Sequence, residues 1–312
     1  MIDLYTVATP NGHKVSIMLE EAGLPYTVTP GSIMKGDQFK PEFLKLNPNG
    51  KFPALVDHDP IGGGTPISVF ETGAMLIYLA DKSGKFLPRE PAKHYETLQW
   101  LMWQMAGLGP MHGQANHFVR YAPEHHEYAT VRYMRESIRL LNVLDGQLND
   151  REWIAAGEYT IADIACWPWI RAIRLIDLEL ADFPNIKRWY EKVEARTGVE
   201  RGKKVINDLV YGGKPMERRQ LTAEHWSWMF GDEQYKKRGE PINSTLARAS
   251  SSARLSRVWP TPSGSSKVTS DERGMNVSRL APWRPTRASS PLVAISTTSV
   301  RFGMRFRSRC RS

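Results

Sequence analysis

Residues 1–83 alternate between short strand-like segments and longer segments with helical spacing. The first segment, Ile2 to Tyr5, alternates apolar and polar side chains and predicts a strand. Apolar residues then recur at helical spacing until Gly23, which marks the end of the first helix. Continued to Gly84, the pattern predicts the order β-α-β-α-β-β-α. This order fits one small α/β domain, which we assign to residues 1–84.

After residue 84, helical patterns replace strand alternation. Amphipathic patterns run through residues 94–105 and 131–148, and a break between helices is predicted at the Gly-Leu-Gly-Pro sequence of residues 107–110. Thr160 and Asp163 have the spacing of a capping box, in which both side chains satisfy backbone N–H groups of the first helical turn. We therefore assign residues 85–208 to an all-helical domain.

The composition changes abruptly towards the C-terminus. Residues 209–240 are polar around an aromatic segment, His225 to Phe230, and we expect this extension to dock on the body. Residues 241–312 contain 13 basic residues, two acidic residues and 16 serines, which predicts an Arg/Ser-rich disordered tail. The tail carries +11 of charge, whereas the first 240 residues carry −2. We therefore expect no nucleic-acid partner for the body, while RNA or membrane binding by the tail stays open.

The cysteines and histidines favour neither a metal site nor a disulfide framework. Cys166 and Cys310 form no CxxC pair, and Cys166 lies in an apolar, Trp-flanked segment that is typical of a core position. The histidines between residues 112 and 126 lack ligand spacing with a carboxylate, so we predict no metal. Without a signal-peptide pattern or an apolar run of about 18 residues, the chain is expected to be cytoplasmic, and we predict no membrane partner apart from the alternative role of the tail.

Two motifs of the α/β domain predict recognition of a small peptide. A cis bond at Phe52–Pro53, directly before a strand, would leave the Phe52 backbone to pair with an extended ligand. Glu71 and Thr72 stand between a strand and a helix, where helix N–H groups attract a carboxylate and Glu71 can accept from an ammonium. Taken separately, Pro53 could be a plain turn proline and Thr72 only a helix cap. Together they indicate the backbone and the α-amino-acid end of a peptide.

Longer motifs carry a resemblance to a known family. The sequences Asn47 to Leu55, Phe70 to Ala74 and Tyr159 to Ala165 resemble those of cytosolic glutathione transferases. The sequences Tyr5 to Lys14, Leu98 to Gln104 and Ile164 to Trp169 resemble the bacterial Nu-class members, which are glutathione-dependent disulfide-bond oxidoreductases. The resemblance implies a thioredoxin-like domain followed by a helical domain, a homodimer, and glutathione as co-substrate. It does not extend to residues 241–312.

The resemblance also implies a set of site residues. Glutathione transferases place an activating Tyr, Ser or Cys at the start of the first helix, where this chain has Thr9 to Gly12 and no thiol. The Thr9 hydroxyl and the Asn11 amide can donate to a glutathione thiolate there, and we assign both as catalytic, although Asn11 could merely open the helix. The implied glutathione-binding residues are Asn11, Gln38, Phe52, Glu71, Thr72 and Arg132. Arg132 shares a helix face with Arg135 and Arg139, so it could also be ordinary solvated surface.

The functional hypothesis is reduction of small disulfides, with bound glutathione as the thiol. One alternative is the usual transferase chemistry, in which glutathione is conjugated to an electrophile or reduces an organic hydroperoxide. A second alternative is a non-catalytic binding module, because the same fold also serves regulators and translation factors. The expected partners are a small-molecule disulfide or electrophile and a second copy of the chain.

Overall fold

The computed structural model describes residues 1–210, 221–231 and 233–236, all within one compact unit. The predicted tail, residues 241–312, lies outside the described residues, as do residues 211–220 of the predicted extension. None of the helices in the described ranges is long and apolar enough to cross a membrane.

The N-terminal domain is built around a four-stranded sheet. The strands are β1 (Ile2–Thr6), β2 (Tyr26–Pro30), β3 (Ala54–Asp57) and β4 (Ile67–Val69). Their order is β2-β1-β3-β4, in which β1 and β2 are parallel and the other two pairs antiparallel. Helices α1 (Pro10–Ala22), α2 (Pro41–Leu46) and α3 (Thr72–Ser83) connect or follow the strands. The element order is the predicted one, and the thioredoxin-like fold class is confirmed.

The described residues after α3 are helical, as predicted. Their elements are α4 (Pro91–Trp103), α5 (Gly109–Asn116), α6 (Glu127–Gln147), α7 (Ile161–Arg171), α8 (Pro184–Glu194), α9 (Thr197–Val210), α10 (Ala223–Met229) and α11 (Glu233–Lys236). The Thr160–Asp163 capping box is present at the start of α7. Asp163 also accepts from the Trp189 indole and the Ile154 N–H, which ties α7 to α8 through one buried carboxylate.

The predicted break at residues 107–110 is wrong. A π-helical turn (Gln104–Leu108) continues α4 directly into α5, so the chain stays helical throughout. Pro110 directly follows this turn, whose hydrogen bonds continue as far as the Gly109 N–H, which donates to the Gln104 carbonyl; the ladder lacks one donor at Pro110, but the chain remains helical. The wider π turn instead lets Gln104 and Met105 face the first domain, where both contact Lys14.

Helix α1 is enclosed between the two domains. It packs against α3 of its own domain and against α7 and α9 of the helical domain. Nine of its residues, from Gly12 to Ala22, are buried, including the polar residues His13, Lys14 and Ser16. A lysine and a histidine are thus buried in the domain interface, and burial lowers the pKa of His13 to about 4.

Candidate active site

The chain segments that hold the predicted site residues meet at one edge of the sheet, namely the edge formed by the ends of the strands. The antiparallel register pairs Tyr5 with Ala54, and Leu55 with Val69. The end of β1, the start of β3 and the end of β4 therefore lie side by side. The loop after β2 begins at the same edge, because the Gly31 N–H donates to the Thr6 carbonyl (2.8 Å). This edge gathers the segments that hold Thr9, Asn11, Gln38, Phe52, Glu71 and Thr72.

The start of α1 presents donor groups at this edge. Thr9 is the N-cap, and its Oγ1 accepts from the Gly12 N–H (3.3 Å), which leaves the hydroxyl proton available to another acceptor. The Trp169 indole N–H donates to Asn11 Oδ1 (3.0 Å). Since that bond uses the amide oxygen, the Asn11 Nδ2 group is left to donate. Thr9 and Asn11 are both half-buried, so a ligand atom at the helix start meets a hydroxyl, an amide donor and backbone N–H groups.

The turn before β3 has the predicted cis peptide bond at Phe52–Pro53. The Phe52 ring packs on Phe43, with ring centroids 4.3 Å apart, and covers Gly31 so closely that an added Cβ there would lie 2.3 Å from the ring. The side chain is thus engaged in packing. Within the described residues, the Phe52 backbone N–H and C=O form no backbone hydrogen bond, so both are available to an extended peptide.

Glu71 and Thr72 open α3 at the same edge. Glu71 is exposed, with a left-handed φ of 67°, and directly precedes the helix. Thr72 is the first residue of α3 and is 5% exposed. The N–H groups of the first helical turn have no carbonyl partner within a helix, so this terminus attracts an anion. Behind it, Lys14 Nζ donates to Thr72 Oγ1 (3.3 Å).

Gln38 lies in a 3-10 turn (Asp37–Phe39) and is 4% exposed, so it is not the exposed loop residue that its position alone would suggest. Its Nε2 lies 3.4 Å from the carbonyl oxygens of Ile33 and Trp228. Trp228, on α10, also stacks on Phe39, with ring centroids 6.4 Å apart. The aromatic segment around Trp228 thus packs against the loop that holds Gln38.

Arg132 is not gathered with the other predicted residues. It lies on the solvent side of α6 with a 58% exposed side chain, and its nearest ion-pair partner is Glu136, 3.9 Å away. Arg139 binds the same carboxylate at 2.7 Å. Within one chain, Arg132 therefore belongs to a charged surface stripe.

Three residues near the site were not predicted as site residues from the sequence: Trp169, Lys14 and Trp228. Trp169 follows a helical pattern that predicts a core position, and nothing local shows that its indole reaches Asn11. Lys14 stands on a helix whose polar residues would normally face solvent. Trp228 belongs to the aromatic segment that was expected to dock, but its position beside Gln38 depends on a contact 190 residues away along the chain. No group of three or more metal-ligating side chains occurs among the described residues.

Two domain families match the chain in order. The glutathione S-transferase N-terminal domain matches residues 8–82, and the glutathione S-transferase C-terminal domain matches residues 104–197. Disulfide-bond oxidoreductase YfcG of Escherichia coli strain K12 is 50% identical over 196 residues, which cover 63% of this chain and 91% of the relative.

Solved structures give the same result. A glutathione transferase family member from Pseudomonas fluorescens, with two glutathione bound, has a TM-score of 0.61 at 50% identity and covers 65% of this chain and 92% of that chain. A glutathione transferase from Pseudomonas putida, with one glutathione disulfide bound per subunit, has a TM-score of 0.62 at 45% identity over 65% of this chain and 91% of that chain. The predicted resemblance is confirmed, and the chain belongs to the glutathione S-transferase family.

Proposed function

We propose that the protein is a glutathione-dependent disulfide-bond oxidoreductase that reduces small disulfides with bound glutathione as the thiol. The observation that carries this proposal is the set of groups at the start of α1: a Thr9 hydroxyl, an oriented Asn11 amide donor, and no cysteine. Cys166 is the cysteine within the described residues; it is buried, and burial raises the pKa of its thiol. The reacting sulfur is therefore assigned to glutathione.

Glutathione is proposed to lie along the sheet edge. Its cysteinyl backbone pairs with the free N–H and C=O of Phe52, and its α-carboxylate binds the start of α3 at Thr72, with the ammonium beside Glu71. Gln38, in the loop after β2, accepts from glutathione through Oε1, because its Nε2 already faces the Ile33 and Trp228 carbonyls. Arg132 is proposed to reach a glutathione carboxylate across the interface of a homodimer, since its own chain leaves it on the outer face of α6.

The chemistry is two thiol–disulfide exchanges. In the first, the glutathione thiolate attacks one sulfur of the substrate disulfide; a new S–S bond forms, and the old bond's electron pair leaves with the departing thiolate, which takes up a proton. In the second, another glutathione thiolate attacks the glutathione sulfur of the mixed disulfide and releases the second substrate thiol. The sum is two glutathione and one disulfide giving glutathione disulfide and two thiols. Thr9 and Asn11 donate to the thiolate, which lowers the pKa of the glutathione thiol.

The relatives support disulfide reduction over conjugation. YfcG is named a disulfide-bond oxidoreductase, and the Pseudomonas putida structure holds glutathione disulfide. The presence of two glutathione in the Pseudomonas fluorescens structure fits a reaction that consumes two thiols.

The test is steady-state reduction of bis(2-hydroxyethyl) disulfide by glutathione, with glutathione disulfide formation followed through glutathione reductase. Conjugation of 1-chloro-2,4-dinitrobenzene is measured beside it. We expect disulfide turnover to exceed conjugation, and Asn11→Ala to lower turnover more than affinity for glutathione disulfide. Asn149→Ala, which changes an exposed asparagine paired with Asp150, is the matched control and should be neutral.

If the protein conjugates 1-chloro-2,4-dinitrobenzene rapidly but does not reduce the disulfide, its activity is that of an ordinary glutathione transferase. No binding of glutathione disulfide in calorimetry would favour the non-catalytic module.

A further inference from the structure

A lysine is buried directly behind the predicted carboxylate site. Lys14 is 1% exposed, and none of the ion pairs among the described residues includes it. Lysine is almost never fully buried unless it is paired, because removing its charge from water is unfavourable. Its position between the two domains therefore calls for a functional explanation.

The contacts of Lys14 match an ammonium group. Its Nζ donates to Thr72 Oγ1 (3.3 Å), Gln104 Oε1 (2.5 Å) and Met105 Sδ (3.4 Å). An ammonium has three N–H donors and no lone pair, and here three acceptors surround it. A neutral amine has two donors and one lone pair, so one of the three partners would have to become a donor. The Thr72 hydroxyl can do so by rotation about a single bond.

The direction of the Thr72 hydroxyl therefore depends on the charge of Lys14. When Lys14 is an ammonium, Thr72 accepts from it and keeps its own proton for another acceptor. In the structure that proton is directed to Met105 Sδ (3.4 Å), a weak acceptor that a carboxylate oxygen displaces easily. When Lys14 is neutral, the Thr72 proton turns inward to Nζ, and the site loses both a donor and a positive charge.

We propose that Lys14 is a positioning residue for glutathione: its ammonium holds the Thr72 hydroxyl as an outward donor and is the buried counter-charge for the α-carboxylate bound at the start of α3. This inference rests on the proposed function and deepens it. It predicts that glutathione binds with uptake of a proton wherever Lys14 is partly neutral in the free protein.

Among the titratable side chains around this position, Lys14 is the one whose charge changes near neutral pH. Burial lowers its pKa from 10.5 to about 7, and the Glu71 carboxylate before α3 opposes this shift. Cys166, on α7, remains an uncharged thiol, because burial raises its pKa. His13 on α1 and His112 on α5 have pKa values lowered by burial to about 4 and stay neutral above pH 6. The π-helical turn contributes only the uncharged Gln104 and Met105.

The experiment is calorimetric titration with S-methylglutathione, a thioether whose sulfur cannot titrate, between pH 6 and 8.5. Wild-type affinity should fall about fivefold or more over this range, because one proton is linked to binding. At pH 7.5, the binding enthalpy measured in phosphate and in Tris should reveal proton uptake. Lys14→Met should bind about tenfold more weakly at pH 6, with a flat pH profile and no uptake. Lys14→Arg, which keeps the charge, should restore affinity with a flat profile.

Two further variants separate this role from a structural one. Thr72→Val keeps Lys14 as the counter-charge but removes the hydroxyl, so the pH profile should become shallower than that of the wild type without becoming flat. Lys85→Met removes a lysine that donates to the Ala22 carbonyl (2.9 Å) away from the site, and it should behave as wild type. Circular dichroism monitors folding, and Thr72→Val carries the test by itself if the Lys14 variants do not fold.

The inference is overturned if Thr72→Val keeps the wild-type pH profile, or if a folded Lys14→Met binds as tightly as wild type at pH 6. Wild-type protein that binds no S-methylglutathione at any pH overturns the proposed function itself, which is a distinguishable result.

Discussion

The bond between Trp169 and Asn11 provides a quantitative test of how the helical domain acts on the site. The replacement Trp169→Phe keeps a ring that packs beside Gly109 and Gly113 of α5 but removes the indole N–H that donates to Asn11 Oδ1 at 3.0 Å. A neutral, half-buried hydrogen bond contributes about 1 kcal/mol. Without it, the Asn11 amide can turn its oxygen towards the thiolate, so kcat/KM for disulfide reduction should fall about fivefold.

A double-mutant cycle with Asn11→Ala isolates this effect. When the amide is absent, Trp169→Phe has nothing to orient and should change kcat/KM by less than about twofold. Asn11→Asp sharpens the test, because it keeps an acceptor for the indole but presents an anionic oxygen to the thiolate; it should reduce turnover more than Asn11→Ala. If Trp169→Phe lowers turnover equally in both backgrounds, the indole acts through packing and the orientation argument is refuted.

Three other predictions concern stability, measured by urea unfolding. Thr160→Ala removes the cap of α7, which bonds the Ala162 N–H at 3.2 Å, and should lower the free energy of unfolding by about 1–2 kcal/mol, while Thr160→Ser should not. Gly12→Ala would place a Cβ 2.1 Å from the Val7 carbonyl oxygen, so the free energy of unfolding should fall by about 2 kcal/mol or more. Gly146→Ala is the control: Gly146 lies on α6 with open space around it, and this substitution should leave the free energy of unfolding unchanged or raise it. Between pH 7 and 10.5 the unfolded chain binds more proton at Lys14 than the folded chain, so the free energy of unfolding should rise by about 3 kcal/mol from pH 6.5 to 9.5 in wild type relative to Lys14→Met. A constant difference between the two proteins across that range would contradict the lowered pKa of Lys14.

Two of the motifs at the site could be predicted from the sequence because their signals are local. The Phe52–Pro53 turn and the Glu71–Thr72 junction each depend on a few adjacent residues with a specific backbone preference. Strand order and register then follow from packing apolar faces, and they bring these short segments to one edge.

Polar groups that depend on contacts between domains could not be predicted in the same way. Helix α1 is covered on several sides, so helical periodicity does not distinguish a polar face, and Lys14 looks like an ordinary surface lysine. The break expected at residues 107–110 was wrong because a local rule about Gly and Pro did not account for a π turn that keeps the helix continuous. The burial of Gln38 could not be predicted from its neighbours in sequence, because Trp228 of α10, whose carbonyl lies beside Gln38 Nε2, is 190 residues away along the chain.

The residues of the two domains have different chemical roles at the proposed site. The α/β domain supplies the groups that would touch glutathione, namely the hydroxyls of Thr9 and Thr72, the Asn11 amide and the Phe52 backbone. Side chains of the helical domain orient these donors. The Trp169 indole donates to the Asn11 amide oxygen. Gln104 and Met105 accept from Lys14, which lies behind Thr72. A domain with the same N-terminal motifs but other residues at positions 104, 105 and 169 would still bind a peptide at this edge, yet it would present differently oriented donors to the sulfur and the carboxylate. The proposed reactivity at the sulfur therefore depends on contacts across the domain interface.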